Sequence, residues 1–287
     1  MVRRVFRVVG RAQGAWPAAP LGLVGAADRA GRRLARMPGD ERAAVRALLD
    51  GAPTPHHRAA YEAAVRAGHQ AEALGRFVDL VDGTPTQTLG ELLDPLPQHL
   101  RQRSRTTCGS ACLLVARALA DPVYALWLLG GVDARAGAVS RSSLAERFGA
   151  AEQGVKKRTN AVVGPAGVQL PWPPTLGTSP WGAAAEMTRF TGERYRARYL
   201  DPDSPQSRAA GYDALDRAVA SGLTAPLFVG SSEVPRHVVL AVARDADALR
   251  LYEPASGAVV ALQRAQLVDG GLRVAGWTVP WAVAVPA

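Results

Sequence analysis

The sequence predicts an α+β protein whose helices precede an antiparallel sheet. Apolar side chains recur at helical spacing up to about Ser221, whereas the chain from Ala225 onward consists of short β-rich runs. Gly, Asp and Ser separate these runs, which read APLFVG, HVVLAVA, ALRLYEP, AVVAL, LRVAGWTV and AVAVP. Consecutive runs of this kind predict neighbouring antiparallel strands. Helices first and a sheet last place the chain in the α+β class.

The composition is that of a globular chain with a sizeable core. Hydrophobic residues make up 48% of the 287 residues and charged residues 21%, which is too apolar for a disordered chain. This length exceeds that of most single domains, so we expect one large domain or a compact domain with an extension.

The first residues do not have the pattern of a targeting segment. The opening MVRRVFRVVG is basic, but Arg11 and Gln13 interrupt the apolar run and Pro17 and Pro20 break it again. We therefore expect no secretory signal. No stretch reaches the roughly twenty apolar residues that a membrane-spanning helix requires. The expected location is cytoplasmic, with export by another route left open.

Two helical patterns predict a small N-terminal unit. Residues 40–49 place Val45, Leu48 and Leu49 on one stripe with Asp40 as a candidate cap, and residues 57–81 form a longer pattern that Gly68 could break. Pro-rich residues 83–100 then read as a connection. We expect a helical extension over residues 1–100 and a second domain over residues 101–287.

The second domain begins with further helical patterns. The run CGSACLLVARAL is the most hydrophobic helix candidate, and residues 144–148, 180–191 and 213–221 predict shorter helices. The segment GPAGVQLPWPPTLGTSP between them reads as irregular because of its Pro and Gly content. Trp172 lies in this segment and Trp181 just beyond it. We expect both side chains to pack in the core or in a lid, with the lining of a substrate groove as the alternative.

The basic residues are almost all arginines within Ala-rich segments, and they give a formal charge of +9. Aromatic residues do not interleave with them, so nucleic acid is an unlikely partner. The densest groups suit either a solvated helical face or electrostatic contact with an anionic surface or acidic partner. These groups are Arg3, Arg4, Arg7 and Arg11, then Arg29, Arg32, Arg33 and Arg36.

The two cysteines, Cys108 and Cys112, require separate explanations. On a helix they would lie on consecutive turns of one face, where a disulfide closes almost no loop. No Cys or His pair stands near enough to complete a zinc site, so we expect neither metal nor cofactor.

Cys108 is the candidate nucleophile. It comes just before the apolar helix, where unpaired backbone N–H groups and the positive end of the helix dipole stabilise a thiolate. Small residues follow it and leave room for a substrate. Cys112, one turn later beside Leu113 and Val115, is expected to be a small buried hydrophobic residue.

Three further residues can complete a thiol site. His237 is the one histidine beyond residue 100, and it opens a predicted strand, so it is the candidate base. Glu253 ends the next strand, and a hairpin would bring it beside His237 to hold the imidazole. Gln102 lies six residues before Cys108, where its amide could form an oxyanion hole with the Cys108 N–H.

This pattern resembles the bacteriocin-processing cysteine peptidases, which are the leader-cleaving N-terminal domains of certain ABC exporters, and their stand-alone relatives. The resemblance lies in the order and spacing of three short motifs. The first is Gln, five residues, Cys-Gly, two residues and Cys-Leu; the second is a late His-Val-Val; the third is acid-Pro-x-x-Gly, whose acid stands sixteen residues after the His. It covers about Leu100 to Ala287. It implies a papain-like fold with Cys108 as nucleophile, Gln102 in the oxyanion hole, and His237 and Glu253 completing the triad.

The chain also departs from that family. Glu253 stands where the family has Asp, Thr107 stands where the exporter enzymes tend to have an acid, and no transporter region follows. The family's substrate therefore does not transfer. We expect a thiol-dependent hydrolase that acts on a peptide or protein, with an acyltransferase or deamidase effector and an inactive peptide-binding module as alternatives.

Overall fold

The computed structural model describes residues 25–85, 89–90, 100–164 and 167–287. The basic residues Arg3, Arg4, Arg7 and Arg11 and most of the predicted connection lie outside the described residues. The chain forms two compact units, the first of residues 1–96, 117–147 and 190–192, the second of residues 97–116, 148–189 and 193–287. The units are interleaved in sequence, and an independent domain boundary near Leu100 stays a prediction. No helix of the described residues has the length and apolarity to cross a membrane.

The first unit is mainly helical. Its elements are α1 (Ala26–Leu34), α2 (Gly39–Asp50), α3 (Pro55–Ala67), α4 (Ala71–Val81), α6 (Pro122–Gly130), β1 (Val132–Asp133) and β2 (Ala138–Val139), with α5 (Cys108–Ala120) ending in it. Helix α3 begins where the Thr54 hydroxyl accepts the His57 N–H, and it ends at Gly68, whose φ of 98° favours glycine. Tyr61 and Phe77 are fully buried in the core of this first unit.

Three N-terminal predictions can be compared with these helices. The break at Gly68 is confirmed, because α3 and α4 replace one long helix. The prediction that Asp40 caps a helix is wrong, since α2 begins at Gly39 after Pro38 and Asp40 lies in the first turn. Arg29 does not lie on a solvated face, because its side chain is buried, whereas Arg32, Arg33 and Arg36 are exposed.

The second unit places helices around a sheet. Its helices are the start of α5, most of α7 (Leu144–Thr159), α8 (Pro180–Thr191), α9 (Pro205–Ala220) and α10 (Arg264–Val268), and a small hairpin pairs β3 (Val163–Gly164) with β4 (Gly167–Val168). The prediction for α8 is confirmed to the residue. Helices α7 and α9 are much longer than the segments 144–148 and 213–221, because Ala, Gly and polar residues extend each helix beyond its obvious apolar stripe.

A six-stranded antiparallel sheet forms the core of this unit. Its strands are β5 (Tyr195–Tyr199), β6 (Ala225–Gly230), β7 (Pro235–Arg244), β8 (Ala248–Glu253), β9 (Ala258–Gln263) and β10 (Val279–Pro286), in the order β5-β10-β6-β7-β8-β9. Helix α9 packs against β6, β7 and β10. Every residue of β6 is buried, as expected for a central strand covered on both faces.

The last strands differ from the prediction in two respects. The run LRVAGWTV does not form a strand over most of its length, because Val274 and Trp277 pair in an isolated turn and β10 begins only at Val279. The sheet also contains β5, with the alternating sequence YRARY, which the apolar pattern does not reveal. An edge strand needs only one buried face, so charged residues can occupy the other.

Candidate active site

Cys108 begins helix α5 and is a free thiol. The first turn closes with a 2.8 Å hydrogen bond from the Ala111 N–H to the Thr107 carbonyl. The Thr107 hydroxyl accepts the Ser104 N–H at 3.1 Å and lies 3.0 Å from the Ser104 carbonyl. The first N–H groups of a helix have no intrahelical acceptor, so the Cys108 sulfur lies beside a positive helix end. Only 2% of Cys108 is exposed.

His237 and Glu253 are brought together by adjacent strands. The imidazole Nε2 lies 2.8 Å from Glu253 Oε1, and both side chains are buried. Residue 230 helps to place the start of β7, because a Cβ there would lie 2.2 Å from the Val234 carbonyl oxygen. Only glycine permits this close approach, which allows the chain to turn back sharply just before His237.

The Glu253 carboxylate is held in its ionised form. Besides His237, it accepts the N–H groups of Ala255 and Ser256, each at 2.8 Å. Burial opposes ionisation, but these hydrogen bonds outweigh burial and lower the pKa of Glu253 to about 2. A permanent negative charge therefore lies against the imidazole at neutral pH.

His237 interacts with Cys108 as well as with Glu253. Burial lowers the pKa of His237, but its hydrogen bonds and charge interactions with Cys108 and Glu253 raise that pKa to about 9. Because Nε2 contacts Glu253, Nδ1 is the nitrogen left for the thiol. The imidazole is therefore protonated at neutral pH, between the Glu253 carboxylate and the Cys108 sulfur.

Cys112 lies one helical turn from Cys108 and is completely buried. Its thiol donates to the Val238 carbonyl at 3.3 Å, and burial raises its pKa well above the usual value. A buried neutral thiol with a backbone partner fits the packing role predicted for it.

Gln102 is tied to the acid side of the site. Its backbone N–H donates to the Pro254 carbonyl at 2.8 Å, one residue beyond Glu253. Its side-chain Nε2 donates to the Ser104 carbonyl at 2.8 Å, and its Oε1 is buried with no partner among the described residues. The amide therefore supports the chain ahead of Cys108, and its role in an oxyanion hole stays a prediction.

The segment before α8 packs against the start of α5. A Cβ on Gly109 would lie 2.6 Å from the Thr178 Cβ, so glycine is required beside Cys108. A Cβ on Gly177 would lie 3.0 Å from the Thr106 carbonyl oxygen. Trp172 and Trp181 stack edge to face with their ring centres 5.1 Å apart. Their packing against each other fits the core or lid role.

Glu152 is a buried carboxyl that the sequence prediction missed. It lies on α7 and accepts the Arg103 N–H at 3.2 Å and 3.1 Å through its two oxygens. The predicted helix ended at Phe148, so Glu152 had no assigned environment. The available signal was its position four residues after Phe148 and three before Val155, which places an acid on the apolar stripe.

No family model matches this chain, and no curated protein matches it either. The resemblance to bacteriocin-processing peptidases therefore depends on the motif residues themselves. Within the described ranges, no group of three or more His, Cys, Asp or Glu side chains could hold a metal ion. Cys108, His237 and Glu253 are therefore the residues from which a function can be inferred.

Proposed function

We propose that this protein is a thiol-dependent hydrolase, and specifically a cysteine peptidase with a papain-like second unit. The observation that carries the proposal is the placement of His237, which contacts the Glu253 carboxylate through Nε2 at 2.8 Å and interacts with the Cys108 thiol. A cysteine on a helix N-terminus, facing a histidine and an acid on a sheet, supports the papain-like assignment.

The first half of the proposed reaction forms an acyl-enzyme. The Cys108 proton resides on His237, whose imidazolium is stabilised by Glu253. The thiolate attacks the carbonyl carbon of the substrate, and the carbonyl π electrons move onto oxygen. In this proposal the Cys108 N–H and the Gln102 amide hold the oxyanion. His237 then gives its proton to the departing amine as the C–N bond breaks, which leaves a thioester.

The second half releases the product. Neutral His237 removes a proton from water, and the hydroxide attacks the thioester carbonyl. The C–S bond breaks, Cys108 leaves as a thiolate, and the proton stays on the imidazole. The carboxylic acid product departs and the ion pair is restored. A primary amine in place of water would give acyl transfer, so the acceptor decides between these two activities.

Labelling of the purified protein with iodoacetamide from pH 4 to 9 tests this proposal. Intact mass and peptide mapping would follow wild type, His237→Ala and the exposed control His56→Ala. We expect Cys108 to alkylate much faster than free glutathione near neutral pH, Cys112 to stay protected, and His237→Ala alone to lose the excess rate. A Cys108 that reacts no faster than glutathione would contradict the proposal and favour an inactive binding module.

A further inference from the structure

Glu152 is an acid at a core position. Phe148, Glu152, Val155 and Thr159 follow one stripe of α7, and all four are at most 2% exposed. A carboxyl group on such a stripe costs free energy unless its oxygens find hydrogen-bond donors. The proposed reaction does not use Glu152, so its burial requires another explanation.

The donors to Glu152 come from the chain that leads to Cys108. The Arg103 N–H donates to both carboxyl oxygens, at 3.2 Å and 3.1 Å. The Thr107 hydroxyl donates to the Ser104 carbonyl at 3.0 Å and so folds the same segment on itself. Lys156, one turn further along α7, contacts the Thr106 hydroxyl at 2.6 Å. One face of α7 therefore holds the segment from Arg103 to Thr107, here named the approach loop.

The approach loop also connects the two halves of the candidate active site. Gln102, next to Arg103, donates its N–H to Pro254 beside Glu253, so one end of the loop is fixed to the acid. At the other end, the Thr107 carbonyl accepts the Ala111 N–H and begins the helix that carries Cys108. A shift of the loop would therefore move the Cys108 sulfur relative to His237.

We propose that Glu152 is a positioning residue that fixes the approach loop through Arg103 and so sets the position of Cys108 relative to His237. This inference rests on the proposed function, because it assigns Glu152 to the same thiol site. Glu152 touches neither the substrate nor the reacting atoms. Its effect on the reaction comes only through the geometry of the loop.

The protonation state of Glu152 controls the strength of this support. Burial raises the pKa of Glu152 to about 7, although the hydrogen bond from the Arg103 N–H and the charge of Arg103 act against the rise. The other nearby titratable groups are Lys156 on the same helix and buried Tyr252 on β8. An ionised carboxylate accepts at both oxygens and makes stronger bonds than the neutral acid. The loop is therefore held more firmly above pH 7 than below it.

Three variants test the proposal by their Cys108 alkylation rates from pH 5 to 9. Glu152→Gln has the same shape and can still accept from Arg103, but it carries no charge at any pH. Glu152→Asp keeps the charge on a shorter side chain. Glu72→Gln removes an exposed carboxyl from α4 and is the matched control. Circular dichroism and thermal unfolding establish that each variant is folded.

We expect the ratio of the wild-type alkylation rate to the Glu152→Gln rate to depend on pH. Wild type and Glu152→Gln should alkylate at similar rates below pH 6, and wild type should be faster by roughly tenfold above pH 8. Glu152→Asp should keep the step near pH 7 with a smaller amplitude, and Glu72→Gln should match wild type. If wild-type Cys108 alkylates rapidly but its rate relative to Glu152→Gln does not change with pH, the role of Glu152 is overturned and the proposed function is not. A wild-type Cys108 no faster than glutathione would overturn the proposed function and this inference with it.

Discussion

Two buried histidines of this chain each lie 2.8 Å from a carboxylate, but their other neighbours differ. In the second unit, His237 contacts Glu253 and interacts with the Cys108 thiol. In the first unit, His69 Nε2 contacts Asp121, which also accepts the Tyr124 N–H at 3.0 Å as the N-cap of α6. The third neighbour of the His69 pair is therefore the start of a helix, whereas the third neighbour of the His237 pair is the Cys108 thiol.

The comparison shows that a buried histidine and acid are not by themselves a catalytic signal. Burial opposes the ionisation of Asp121, but its contacts with His69, Arg117 and the Tyr124 N–H lower its pKa. Every one of these contacts stabilises the fold, because they join the start of α6 to its neighbours in the first unit. The presence of the Cys108 thiol distinguishes the second pair, and the proposed function depends on it.

The largest expected difference between the pairs is in thiol reactivity. Glu253→Gln removes the charge that stabilises the His237 imidazolium, so we expect the Cys108 alkylation rate at pH 7 to fall by roughly 10- to 100-fold. Asp121→Asn removes the corresponding charge beside His69 and should change the rate by less than about twofold. Equal losses in the two variants would show that the effect on Cys108 comes from general destabilisation.

The second expected difference is in stability. Asp121→Ala removes the cap of α6 and leaves the His69 ring without its partner, so the free energy of unfolding should fall by about 2–4 kcal/mol. Asp50→Ala, which removes an exposed partner of Arg58, should cost less than about 1 kcal/mol. Urea unfolding measures both values. A loss of less than about 1 kcal/mol for Asp121→Ala would contradict the structural role assigned to that pair.

The pH dependence of stability gives a smaller effect with a defined sign. The pKa of Glu253 is lowered to about 2. Its contribution to the free energy of unfolding is therefore complete above its usual pKa near 4.5 and disappears as the pH falls through 2. The pKa of His237 is raised to about 9. Its contribution to the free energy of unfolding is therefore complete below its usual pKa near 6.5 and disappears as the pH rises through 9.

The hydrogen bond between His237 and Glu253 contributes to both shifts, so the two contributions are not added. The acid limb and the alkaline limb of the stability–pH curve should each amount to at most about 3 kcal/mol. Urea unfolding from pH 2 to 10 would measure the limbs. The alkaline limb should be smaller in Cys108→Ser, because a serine hydroxyl does not supply a negative charge to His237. An alkaline limb of the same size in Cys108→Ser would argue against an interaction between the thiol and the imidazole.

The sequence predicted the parts of the site that depend on local pattern. Cys108 was recognisable from small residues at the start of a strongly apolar run, and that run forms α5 as predicted. His237 opens one β-rich run and Glu253 ends the next, and a short turn joins the two runs, so hairpin geometry was enough to predict that they approach each other. The α+β class followed from the same change of periodicity near residue 225.

The parts that depend on long-range contacts could not be predicted in this way. The Gln102 side chain bonds to Ser104, and its backbone bonds to Pro254 more than 150 residues away, a partner that no spacing within the motif reveals. Glu152 was hidden because the segment around it, GAAEQG, has a weak apolar pattern although it lies within a 16-residue helix. Strand β5 was missed because its exposed face carries arginines.

The most direct test of the account is the titration of the His237 imidazole by NMR in wild type and in Cys108→Ser. If Cys108 and His237 form the proposed thiolate–imidazolium pair, His237 titrates near pH 9 in wild type, since Cys108 and Glu253 both stabilise its protonated form. In Cys108→Ser the pKa should fall by roughly one unit or more, because one of the two stabilising partners is lost. A wild-type His237 that titrates at or below its ordinary pKa of 6.5, or that titrates identically in both proteins, would contradict the proposed thiolate–imidazolium pair.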